Sequence, residues 1–144
     1  MAQNFTAQVD AWVKESKARI EAVVKESAQR VVEDMQKPTD KGGNMPVDTG
    51  FLRASIQGQL DAPVMTVRAN PGGTYSYDGG DISMTLANME LGDVFYATYT
   101  ANYARYVEYG ANGRPGRAFV RTAAARWPQT VNEVASELKA RSVR

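Results

Sequence analysis

Residues 4 to 36 place Phe5, Val9, Trp12, Val13, Ile20, Val23, Val24, Val31, Val32 and Met35 at three- and four-residue steps, the spacing that gathers side chains on one face of an α-helix. The opposite face is laced with charge. Asp10 and Lys14, Glu15 and Arg19, Glu21 and Lys25, Glu26 and Arg30, and Glu33 and Lys37 stand four residues apart with the acid first, the favourable order, each pair worth about 0.2–0.5 kcal/mol. Such a helix is about 45 Å long at a rise of 1.5 Å per residue, more than a domain of this size covers. Part of its apolar stripe is therefore expected to meet another chain, the alternative being a helix packed wholly on its own sheet.

Pro38 and the run KPTDKGGNMP close that helix, because proline lacks the amide donor and paired glycines add backbone freedom. Residues 38–47 are expected to be a flexible connection. Order returns at Asp48, where Asp48 or Thr49 can cap a short helical turn through Gly50 to Ala54. Residues 55–60 and 64–69, on either side of Asp-Ala-Pro, read as a strand pair. The loop NPGGTYSYDGGD over 70–81 carries four glycines, and Tyr75 and Tyr77 are expected to be exposed on a mobile segment. In 82–91 both periods fit, and a short helix started by Asp81 and stopped by Gly92 is preferred over a strand.

Residues 93–100, with Phe95, Tyr96, Tyr99 and the β-branched Val94, Thr98 and Thr100, form the most strand-like segment. A helical stretch follows from Asn102 to Tyr109 and is closed by Gly110. The last helix starts near Arg117 with a stripe of Val120, Ala124, Trp127, Val131, Val134 and Leu138, and Pro128 must divide it into two pieces hinged near Trp127. The fold class is α+β: a small, mostly antiparallel sheet covered by the long N-terminal helix and the Pro-kinked C-terminal helix. The chain reads as one domain over 1–144, with the first helix at 1–37, the connection at 38–47, a core at 48–126 and the C-terminal helix at 127–144.

Composition narrows the chemistry. There is no cysteine and no histidine among the 144 residues, which removes the thiolate nucleophile, the commonest general base and the commonest zinc ligand. No enzyme activity, metal or cofactor is expected. The start MAQNFTAQVDAW has no basic region leading into an apolar one, and no window approaches the roughly 20 apolar residues of a membrane span, so a soluble chain without membrane contact is expected. The net charge of +1 is unevenly spread: residues 41–100 carry three basic and six acidic side chains, and residues 101–144 eight basic and three acidic. A basic last third suits a nucleic-acid surface or a subunit that meets an acidic neighbouring face.

Candidate residues follow from that pattern. Thr49, Gly50 and Leu52 fit a cap, a tight backbone approach and a core anchor. Glu108, flanked by Arg105, Tyr106 and Tyr109, could be a catalytic carboxylate, but general acid or base work needs a partner group that the sequence does not offer. A Glu to Arg pair, within the fold or across a subunit boundary, fits it better than a hydrolase built on Glu108 and Asp48. Arg114, Arg117, Arg121 and Arg126 surround the glycine-rich GANGRPGR, which matches neither the P-loop nor the dinucleotide pattern. Their expected targets are protein partners. The tyrosines 96, 99, 103, 106 and 109 could stack bases, but Tyr103 and Tyr106 fit core or interface positions better.

As an ordered set, three blocks carry a resemblance. Pro46, Thr49, Gly50, Leu52, Ser55 and Ile56 come first, then Tyr103, Ala104, Val107, Glu108 and Gly110, then Pro115 and Phe119. Over roughly residues 46–126 the chain resembles the tail-component family of long-tailed bacteriophages, small neck or tail-completion proteins at the head-to-tail junction. It departs in placing Gly116, Arg117 and Ala118 between Pro115 and Phe119. The resemblance implies a structural virion protein, assembled in the host cytoplasm, that forms a sixfold or twelvefold ring of identical subunits around the DNA channel. Its implied partners are portal and head-closure proteins on one side and tail-tube or terminator proteins on the other, with DNA passing through the lumen without specific binding. The residues expected at assembly contacts are Tyr75, Tyr77, Arg105, Tyr106, Glu108, Arg114, Arg117 and Arg121. The runner-up is a nucleic-acid-binding module that uses the basic last third.

Overall fold

The computed structural model describes residues 4–142. The Asn4 side chain accepts the Thr6 amide at 3.0 Å and opens helix α1 (Phe5–Gln36). Lys37 ends it in an extended conformation, as the residue before proline must. Only the C-terminal part of α1 enters the core: Ser27, Ala28, Val32, Met35 and Gln36 are buried. Phe5 and Trp12 remain 77% and 67% exposed, and Val9 and Ile20 are also bare.

The connection after α1 is not the loose tether expected of paired glycines. The Thr39 amide bonds the Met45 carbonyl at 3.0 Å, the Met45 amide bonds the Lys37 carbonyl at 3.1 Å, and Gly43 bonds Pro38 at 2.9 Å. These bonds close a loop around a short 3₁₀ turn (Thr39–Lys41) and drive Met45 to complete burial. A single apolar side chain thus fixes a polar loop.

Helix α2 (Phe51–Ala54) leads into strand β1 (Ile56–Leu60), whose antiparallel partner is β2 (Phe95–Tyr99), with Ile56 opposite Tyr99 and Leu60 opposite Phe95. The expected pairing of β1 with 64–69 does not form. Pro63 denies the turn a donor, and Met65 and Val67 stay exposed, so 64–69 has no face to bury. Asp61 turns the chain instead with φ of 66°, and its carboxylate holds the Val94 amide at 2.9 Å. Residues 82–91 are helical in their first part, within α3 (Gly80–Ala87). This helix lies on β1 and α1, and Asp81 accepts the Gly58 amide at 2.7 Å.

Helix α4 (Ala104–Tyr109), the short strands β3 (Gly110–Ala111) and β4 (Arg114–Pro115), and helices α5 (Phe119–Ala125) and α6 (Trp127–Ser142) complete the α+β fold. The break between α5 and α6 falls at Arg126, and Pro128 lies in the first turn of α6, where its missing amide costs nothing. The buried stripe runs through Phe119, Ala123, Thr130 and Val134; Ala124 and Trp127, expected inside, face out. α6 packs chiefly on α1 rather than on a sheet, tied there by Arg30 to Glu137, and Arg126 at the break pairs with Asp34 of α1.

Two apolar clusters result. One joins Val32 and Met35 of α1 to Ile56, Ile82, Leu86 and Ala123. The other joins Met45, Phe51, Leu52, Ala101 and Phe119. Tyr99 and Val120 touch both.

Candidate functional site

The region after α4 is built around an Asn-Gly turn. Asn112 and Gly113 both adopt positive φ, 53° and 78°, the type I′ geometry that joins β3 to β4 in a two-residue hairpin. Gly110 and Gly116 let its strands return against α4. A Cβ on Gly110 would lie 2.6 Å from the Arg114 carbonyl oxygen, and one on Gly116 would lie 2.4 Å from that of Glu108. The return is sealed by the Arg117 amide on the Val107 carbonyl at 2.8 Å and the Ala118 amide on the Glu108 carbonyl at 3.1 Å. Asn-Gly between short extended runs is the local signal for this hairpin.

Glu108 lies buried beneath the hairpin. Its Oε1 accepts the Val120 amide at 2.9 Å, and its Oε2 accepts the Arg121 amide at 3.0 Å and Arg121 Nε at 3.3 Å. Arg121 also donates Nη2 to the Glu108 carbonyl at 2.8 Å and lies 4.5 Å from the centre of the Tyr109 ring. The carboxylate thus caps α5, placing negative charge at a helix N-terminus. The Glu to Arg pair expected from sequence lies within the chain, and Arg121 is engaged there.

Tyr75 and Tyr77 are not the free side chains expected. The Tyr75 ring meets Phe51 edge-on at 5.3 Å, and its amide bonds the Thr49 carbonyl at 2.8 Å. Tyr77 is half-buried with the Arg53 guanidinium 5.4 Å from its ring centre, and that burial pushes its hydroxyl pKa up. The same strip explains the Thr-Gly pair. Thr49 Oγ1 accepts the Phe51 amide at 3.3 Å, and Gly50, with φ of 84°, runs so close to Tyr75 that a Cβ would sit 2.1 Å from its carbonyl oxygen. Leu52 anchors the second cluster as expected, Phe119 lies fully inside it, and Asp48 is exposed. One buried network carried no local signal: Gln36 donates to the Arg53 carbonyl at 2.8 Å, Arg53 Nε returns a bond to the Gln36 carbonyl at 2.8 Å, and Tyr99 donates to Gln36 Oε1.

The remaining candidates come together. A groove of about 990 Å³ lies between the hairpin and the 44–46 segment, and its walls include Pro46, Tyr103, Tyr106, Arg114, Pro115 and Arg117. Tyr103 is half-buried and 6.3 Å from Phe51; Tyr106 and Tyr109 are more than 60% exposed. Arg105 projects from the same helix without lining the groove. Among the described residues, Arg105, Arg114 and Arg117 pair with no acid. A second, apolar groove of about 400 Å³ lies between α1 and β2, with Val24, Val31, Phe95 and Trp127 in its wall.

What the fold and its surfaces describe is a small α+β unit with a helix half out of its core and a groove rimmed by unpaired arginines. A family model described as "Bacteriophage HK97-gp10, putative tail-component" matches residues 3–110, three quarters of the chain, and the chain belongs to that family. A structural, tail-related role goes with that membership. The match takes in the whole of α1 and ends at Gly110, so Pro115 and Phe119 lie beyond it. No curated protein and no solved structure matches the chain significantly.

Proposed function

We propose that this chain is a non-enzymatic virion protein of the head-to-tail junction, a neck or connector subunit or a tail-completion or terminator subunit. It acts as a sixfold or twelvefold ring around the DNA channel and joins the tail to the portal and head-closure assembly. The observation that carries this reading is the bare N-terminal part of α1. Phe5, Val9, Trp12 and Ile20 are exposed on one helix whose other end is held in the core, and such an apolar stripe is what a subunit offers to its neighbours. Family membership supplies the setting. The locked geometry of Glu108, with both oxygens accepting hydrogen bonds, favours a structural role for this buried carboxylate.

The test is an infection that lacks this protein. Filled heads and finished tails should accumulate unjoined, and adding the purified protein should join them. Joined, infectious particles in its absence would overturn the proposal. The unpaired arginines beside Tyr103 and Tyr106 favour one second reading, a nucleic-acid surface, which predicts DNA affinity that falls steeply with salt.

A further inference from the structure

Two groups of unpaired charge stand at the two ends of one ribbon. At the Leu60 and Phe95 end of the β1–β2 ladder stand Asp61, Glu90 and Asp93. They are held together because the Asp61 carboxylate takes the Val94 amide at 2.9 Å and the Asp93 carboxylate takes the Glu90 amide at 2.8 Å. Each of these aspartates uses one oxygen for that bond, and the Glu90 side chain is exposed and makes no hydrogen bond among the described residues. Among the described residues none of the three pairs with a cation. Beyond the Ile56 and Tyr99 end, after Thr100 and Ala101, come α4 and the hairpin with Arg105, Arg114 and Arg117, which pair with no acid among the described residues either. The ladder between these ends is five residues long, about 17 Å at the usual strand rise.

Three unpaired acids and three unpaired arginines at opposite ends of one body are self-complementary only between different patches. We propose that copies of this chain associate head to tail, with Asp61, Glu90 and Asp93 of one copy seated against the arginine groove of the next. A contact between different patches is heterologous, and it closes into a ring when the rotation between neighbours allows. Tyr106 and Pro115 in the groove wall supply contact area around the charges, as aromatic side chains do at interfaces. The pairs set register and encounter more than tightness, and screening makes the contact salt-sensitive. This inference rests on the ring reading above and names the surfaces of that ring.

The variants that test it leave internal bonds alone. Arg114, Arg117 and Glu90 hold no side-chain partner within the described residues, so R114E/R117E and E90K should fold as the parent does, which circular dichroism checks. In analytical ultracentrifugation each should associate at least about tenfold more weakly than the parent, and a chain carrying R114E with E90K should recover most of that loss, as coupled charges across one contact require. Because the chain has no cysteine, E90C with R114C should also give a ladder of disulfide-linked subunits, in concentrated protein and in particles. Association by the reversed variants equal to the parent, or no ladder in either setting, overturns the proposal. Salt-dependent DNA binding lost in R114E/R117E while rings persist overturns it in favour of a nucleic-acid surface. The two proposals fail separately. Rings that survive charge reversal in particles that still need this protein for joining sink only the interface, and rings held by these pairs but missing from the junction sink only the placement.

Discussion

Gly50 is one point in the chain where a single atom decides the local structure. Its φ of 84° and the Tyr75 carbonyl only 2.1 Å from a notional Cβ leave no room for a side chain, so G50A should cost roughly 2–4 kcal/mol in denaturant unfolding. The Thr-Gly-x-Leu pattern announced this position, and the structure supplies the reason. Glu108 was also legible as an arginine partner, but its larger role is to cap α5, which no spacing rule reveals across a separation of 12 residues. E108A should cost about 2–3 kcal/mol, because two amides lose their acceptor inside the fold, whereas R121A should cost under about 1 kcal/mol, since that side chain is half in solvent. Equal losses in the two variants would mean that the ion pair, not the cap, holds the loop. The Asn112-Gly113 turn was readable from the dipeptide alone. Met45 was not, because a lone apolar residue between Asn44 and Pro46 has no periodicity to betray its burial.

Helices were legible where their pattern was long. The extent of α1 and the break before Trp127 follow from apolar spacing and from Pro128. Strand pairing was not legible: 64–69 has the β-branched content of a strand, yet the partner of β1 lies 35 residues further along, and only tertiary packing selects it. The contact of α6 with α1 is likewise invisible in either helix alone, though it leaves a pH signature. The Arg30 hydrogen bond lowers the pKa of the Glu137 carboxyl from its ordinary 4.5. The stability it contributes is therefore present above about pH 4.5 and lost as pH falls through the lowered value. E137Q should melt below the parent at pH 7, and the gap should narrow as pH falls below about 4.5; a gap that stays constant through the acid range would remove Glu137 from the helix contact. The exposed half of α1 gives the opposite kind of prediction. W12A should leave unfolding free energy within about 0.5 kcal/mol of the parent while impairing the joining of heads to tails, and full joining with W12A would mean that the bare stripe has no partner.

The whole chain combines a small core with surfaces it does not use itself: the α1 stripe, the arginine groove and the acidic end of the β1–β2 ribbon. The α+β class and the long first helix could be read from sequence because they rest on periodicity. The groove could be read only in part, since Tyr103, Tyr106, Arg114 and Arg117 stand out by residue type but are brought together by the β3–β4 hairpin. Tyr75, Tyr77 and Arg121 had the right composition for a contact surface but are held within the subunit by Phe51, Arg53 and Glu108. A tail-family subunit with this distribution of unused surface should be found as a closed ring of identical copies. Cryo-electron microscopy of intact particles measures this directly. A sixfold or twelvefold ring of this chain at the head-to-tail junction, with the arginine groove of each copy against the acidic end of its neighbour, is the expected density; isolated copies on the capsid exterior, or a junction without this chain, would contradict it.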